Sequence, residues 1–224
     1  SSQQRMIRHF IDAEEIEPEV SELLLRTCEG NPLYLEETIK YLLQEQRIVV
    51  TDGVARLYAQ KGTSNLPSSL AALIAARIDA LDQSSKGALQ LAATIGHTFS
   101  ARLLGEAMGL DHPKPLMTRL SQHGLVVRTS NENKDQWSFV SELVRESAER
   151  GILNFQRRKY HQLIAGAIES LYSDELGPWY HTLSRHCANG DRALDAASYA
   201  YKAGARYQKQ QSLQRAVENY RFGL

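Results

Sequence analysis

Cysteine is scarce: Cys28 and Cys187 are the only two in 224 residues, which excludes a disulfide-stapled scaffold. Each stands among apolar residues at helical spacing, where a buried, unreactive thiol is expected. No run of 18 apolar residues occurs, which excludes a membrane-spanning helix. The first residues lack the charged, apolar, small-residue order of a secretion leader, so the expected compartment is the cytoplasm. Charge of one sign is missing too. Lysine plus arginine and aspartate plus glutamate number 26 each, so no long-range field draws the chain to nucleic acid or anionic lipid.

The usual marks of chemistry are also absent. No G-x-x-x-x-G-K-[ST] loop exists to cradle a triphosphate, and the glycines fall at helix ends, where left-handed caps employ them. Seven histidines and two cysteines show no C-x-x-C or H-x-x-x-H spacing. His181 and His186, five apart, are expected on different helical faces, as packing or surface residues. Glu14-Glu15 and Glu36-Glu37 are adjacent carboxylates that diverge on a helix. Ser141, His161 and Asp174 lack the strained G-x-S-x-G turn of a nucleophile. No catalytic residue and no metal ligand is assigned, and the chain is not expected to be an enzyme.

What remains is a globular composition, 42% hydrophobic and 23% charged, in a length that suits two or three small domains. The periodicity predicts a mainly α chain in three parts. In residues 1–60, Val20, Leu23, Leu24 and Cys28 mark one helix and Leu35, Ile39, Leu42 and Leu43 a second, begun at Pro32. A hairpin follows around Asp52-Gly53, and Gln60 to Asn65 reads as a linker. In residues 66–140, Ser68 or Ser69 caps a helix with Leu70, Leu73, Ile74, Ile78 and Leu81. Asp82 and Ser100 open two more helices, ending at Gly96 and Gly109. A helix from Pro113 to Gly124 then leads into strands at Leu125–Val127 and Gln136–Val140, the order of a winged helix. In residues 141–224, helices are predicted near 142–152, 155–172, 179–188, 191–209 and 212–222. There Ala200, Ala203, Gly204, Tyr207, Ala216, Tyr220 and Gly223 repeat the small-and-aromatic spacing of a tetratricopeptide unit. The chain opens and closes within helical pattern, as expected of a segment of a longer protein.

Two basic features invite a nucleic-acid reading. The candidate recognition helix holds Lys114, Arg119, Gln122 and His123, too few donors for a reading helix. The run Gln156-Arg157-Arg158-Lys159 is read as a solvated face.

The run Gly30-Asn31-Pro32-Leu33-Tyr34-Leu35-Glu36-Glu37 resembles the lid-helix opening G-N-P-L-[FY]-L-E-E of STAND-class signalling ATPases. It is most similar to the ATPase regions that accompany class III adenylate cyclases and to the large LuxR and maltose-regulator types. Leu66-Pro67-Ser68-Ser69-Leu70, Ala92-Ala93-Thr94-Ile95-Gly96, Gly124-Leu125-Val126 and Leu143-Val144-Arg145-Glu146 continue the likeness in the family's order from about Met6 onward. The resemblance implies a helical lid subdomain, a winged helix and a TPR-like array, regulating an ATPase whose phosphate loop and magnesium site lie in an upstream α/β domain. It implies that Gly30 and Asn31 shape a turn and that Pro32 lies against the adenine of ATP or ADP. Where the family has a phosphate-reaching histidine, this chain has Ser141, which donates one hydrogen bond but carries no positive charge. Expected partners are the upstream P-loop domain and a protein or small-molecule signal on the repeats. The competing expectations are a protein-interaction scaffold and, less favoured, a winged-helix DNA-binding module.

Overall fold

The computed structural model describes residues 2–28, 32–58, 69–129 and 135–223, with side chains from Ile7 onward. It is 70% helical, with twelve α-helices and two small three-stranded sheets among the described residues, so the chain is mainly α. Among the described residues no helix is long and apolar enough to cross a membrane. Two compact units divide it, Ser1–Asp82 and Gln83–Leu224.

The first unit runs α1 (Ser2–Ile11), β1 (Glu15–Ile16), α2 (Pro18–Cys28), α3 (Pro32–Gln44), β2 (Ile48–Thr51), β3 (Val54–Leu57) and α4 (Leu70–Asp79). Its core follows from spacing. Val20, Leu24 and Cys28 recur every four residues on α2, and Leu35, Ile39 and Leu42 face them from α3. Full burial of each such side chain is worth about 1.5–3 kcal/mol. The hairpin turns on Asp52 and Gly53, both at positive φ (53° and 75°), as a two-residue primed turn requires. Strand β1 pairs in parallel with β3, Glu15 N–H donating to the Gly53 carbonyl at 3.1 Å.

The compact units part after Asp82, whereas the break expected from the sequence is at 60–66. The linker expected at 60–65 lies outside the described residues. Helix α4, capped by Ser69, packs on α3 and seats Leu73 in the first unit's core. The helix grouped with residues 66–140 from the sequence therefore lies in the first compact unit. A stripe of Leu73, Ile74 and Ile78 specifies burial, but not the partner it is buried against.

The second unit opens with α5 (Gln83–Ile95), β4 (Thr98–Ser100), α6 (Ala101–Met108), α7 (Lys114–Gln122), β5 (Val126–Arg128) and β6 (Gln136–Phe139). The antiparallel sheet has the order β4-β6-β5. This is the winged-helix arrangement, shifted so that α5 is its first helix and β4, three residues long, is its added strand. Ser100 caps α6 through Leu103 N–H at 3.0 Å, and Gly109 ends it in the left-handed region.

The array follows as α8 (Glu142–Arg150), α9 (Asn154–Leu171), α10 (Tyr180–Asn189), α11 (Ala193–Lys209) and α12 (Leu213–Phe222), each within two residues of its predicted bounds. Helix α9 packs on both α5 and α6, which joins the array and the winged helix in one compact unit. Tyr160 on α9 donates to Gln90 Oε1 of α5 at 3.4 Å. At the far end, α11 and α12 approach so closely that a Cβ on Gly204 would stand 2.5 Å from the Tyr220 ring. Any side chain at that position of the repeat spacing would have to displace the ring.

Candidate functional site

Gly30 and Asn31 lie outside the described residues. Pro32 is the first residue of α3, where its fixed φ and missing N–H suit the opening turn, and it is exposed together with Leu33. The second half of the same run is structural. Leu35 enters the core, and Glu37 is buried and bonded to the guanidinium of Arg77 from α4. Lys40 bridges Glu36 and Glu37 at 2.6 and 3.1 Å. The adjacent carboxylates thus share Lys40, while Glu37 alone also reaches the buried Arg77.

Ser141, in the second unit, is half-buried and N-caps α8, its Oγ accepting from Val144 N–H at 3.3 Å. Its extended backbone (φ −155°, ψ 158°) is that of a cap residue. Its oxygen already serves the helix, which leaves the hydroxyl hydrogen to donate.

A cluster not anticipated in the sequence lies where α5, α9 and α10 meet. A cavity of about 200 Å³ is lined by Thr94 and Ile95 of α5, His161 of α9, and His181, Thr182, Arg185, His186 and Asn189 of α10. The Nδ1 atoms of His161 and His186 are 2.8 Å apart, and His186 is 6% exposed. Burial, then His161 and Arg185, lower His186 to about 3. Burial, then Arg157, lower His161 as well, with Glu149 acting in the opposite sense. Both imidazoles are therefore neutral near pH 7, so one Nδ1 carries the shared hydrogen and the other accepts it. His181 Nδ1 lies 2.8 Å from Asn219 Oδ1 of α12, whose amide nitrogen is committed to the Arg215 carbonyl at 2.7 Å. His181 and His186 do project differently from α10, yet both reach this cavity, which spacing within one helix could not reveal. The 25 residues from His161 to His186 carry no local signal.

A second cleft, of about 490 Å³, lies between α6, the start of α7 and the sheet. Met117 and Trp137 supply apolar wall, Arg128 stands 5.6 Å over the Trp137 ring, and Arg102 and Lys114 are balanced by Glu106, Asp111 and Asp135. Asp135 is engaged internally, bonded by the Ser100 hydroxyl and by Arg102 N–H at 2.9 Å. Of the donors read from the sequence, Lys114, Arg119 and Gln122 are exposed on α7 and His123 at its end is half-buried.

Among the described residues no group of three or more His, Cys, Asp or Glu side chains could hold a metal ion. Both thiols are buried, and burial pushes Cys187 up to about 11, far from a reactive thiolate. A family model for a domain of unknown function (DUF8739) matches residues 1–56, the stretch from α1 into β3. No curated protein matches the chain.

Proposed function

We propose that this chain is the regulatory part of a STAND-class signalling ATPase, coupling nucleotide state in an upstream P-loop domain of the same protein to a downstream effector. The observation that carries the reading is the order of parts. A helical unit beginning its third helix at an exposed Pro32 is followed by a winged helix that runs through α8 directly into an antiparallel helix array. That is the series the family resemblance implies. Pro32 offers an apolar ring on a stiff turn to the adenine of ATP or ADP. Ser141 is left one hydroxyl hydrogen with which to meet a phosphate. The array supplies the surface on which a protein or small-molecule signal acts, and the two units supply parts able to repack. Such a protein works in the cytoplasm, where ATP is available. Catalysis and magnesium binding belong to the upstream domain, and this chain contributes neither.

One observation favours a different reading, that of a protein-interaction scaffold. Ser141 is occupied as a helix cap and cannot carry the charge of the histidine it replaces. Nucleotide titration of the intact protein decides between the two. The ATPase reading expects saturable ATP or ADP binding, weakened several-fold by Pro32→Ala and strengthened by Ser141→His. Absence of nucleotide binding by the intact protein leaves the scaffold. Calorimetric titration of residues 1–224 alone with ATP is expected to give negligible heat, and micromolar affinity there would overturn the assignment of the phosphate grip to another domain.

A further inference from the structure

We propose that the cavity between α5, α9 and α10 is a binding site for a phosphate-type oxyanion, gripped by Arg185 and by the imidazoles of His161, His181 and His186. The proposal is independent of the ATPase reading, because it rests only on the lining of this cavity.

Three features converge. First, the charge is one-sided. Arg185 is exposed and makes no ion pair among the described residues, and no carboxylate lines the cavity. The surrounding ionisable groups are Arg157 and His161 of α9, Glu149 of α8, and His181, Arg185 and His186 of α10; only Glu149 is negative. Second, the hydrogen-bond inventory is unfinished. The His161–His186 bond uses both Nδ1 atoms, so one ring keeps a free Nε2–H and the other a bare Nε2 lone pair. Asn219 Oδ1 accepts from His181 Nδ1–H, so Nε2 is the nitrogen His181 has left to offer. None of these ring nitrogens is among the described buried side-chain atoms without a partner, so the unbonded ones are open to an occupant of the cavity. Third, the size is that of an ion. About 200 Å³ is smaller than the roughly 300–1,000 Å³ of pockets for drug-sized ligands. A tetrahedral oxyanion fits, and a nucleotide does not.

The unfinished valences also identify the proton balance. One Nε2–H and the Arg185 guanidinium donate to the anion directly. A bare Nε2 becomes a donor only on taking up a proton, which comes from solvent. Oxyanion and proton therefore bind together, and the anion offsets the burial and the cationic neighbours that keep His161 and His186 neutral.

The test is NMR titration of the chain with inorganic phosphate in a phosphate-free, weakly coordinating buffer, following the ring signals of His161, His181 and His186. Saturable shifts of all three are expected, with affinity about tenfold higher at about pH 6 than at about pH 7 for one proton taken up. Arg185→Gln, a change at an exposed side chain that should leave the melting temperature unaltered, is expected to weaken binding at least about tenfold. A parallel arm with O-phosphoserine separates the sources of the same chemistry. Equal affinity assigns the site to a phosphorylated partner's headgroup, and preference for inorganic phosphate assigns it to the free ion. Shifts that grow linearly without saturating, or unchanged affinity in Arg185→Gln, would overturn the proposal. So would Zn²⁺ moving the same signals where phosphate does not.

Discussion

The seam between α3 and α4 and the seam between α11 and α12 bring helices together by opposite means. In the first, a carboxylate and a guanidinium from residues forty apart are buried against each other, Glu37 3% and Arg77 2% exposed. In the second, side chains are all but removed. Gly204 leaves room for the Tyr220 ring, and Ala200 lies 3.1 Å from where a Cβ on Gly223 would stand. A buried ion pair fixes which helices meet, because either charge left alone is costly, yet adds little net stability of its own. A small-residue seam is stabilised by packing and dispersion, and it tolerates no added volume.

The largest effect that sharpens this contrast is expected at the charged seam. Glu37→Leu leaves Arg77 buried without its carboxylate and should cost about 3–5 kcal/mol, whereas adding Arg77→Met should recover most of the loss. Denaturant unfolding of both variants, with hydrogen exchange on residues 1–82 to localise the effect, checks it. A single variant costing under about 1 kcal/mol would break the comparison, since the charges would then be incidental to the seam.

The two seams also differ in how much of them could be read from the sequence. The glycine, alanine and tyrosine spacing of α11 and α12 was legible because a repeat writes its packing into consecutive turns. The bounds of α8 to α12 followed from the same periodicity. The Asp52-Gly53 hairpin was legible through its turn chemistry, and Ser69 and Ser100 through their capping positions. The Glu37–Arg77 bond was not, because each residue looks locally like part of a solvated face. For the same reason the packing of α4 on α3 was not legible. Strands β1 and β4, of two and three residues, are too short to show a period of two. Of the candidate site, Pro32 and Ser141 could be singled out only by resemblance. The His161, His181 and His186 cavity was hidden because its parts come from separate helices.

A third seam, α9 against α10, lies between these extremes, joined by histidines that are polar but neutral. His186 is held at about 3 against an ordinary 6.5. Between those values the unfolded chain binds the proton and the folded one does not, so stability is full above about pH 6.5 and is lost as pH falls toward 3. The expected slope is about 1.4 kcal/mol per pH unit from this residue. His186→Gln should flatten that part of the curve, measured by denaturant unfolding in phosphate-free buffer at a series of pH values. An unchanged slope would mean that the ring is protonated in the fold, making this seam a charged one like α3–α4.

The smallest effects test the small-residue seam, and they are expected to differ in sign. Alanine is favoured over glycine inside a helix by about 0.8–1.0 kcal/mol. At Gly166 of α9 nothing lies within 4 Å of the added Cβ, so Gly166→Ala should stabilise by about that amount. At Gly204 the same methyl would meet the Tyr220 ring at 2.5 Å. The overpacking cost of about 1–3 kcal/mol should exceed the propensity gain and leave a net loss of roughly 1 kcal/mol. Thermal melts of the two variants suffice to read the signs. In a double-mutant cycle with Tyr220→Leu, Gly204→Ala should turn neutral or stabilising, because the obstructing ring is gone. If Gly204→Ala stabilises in the parent sequence as Gly166→Ala does, α11 and α12 are not in contact through small residues, and the difference between the seams disappears.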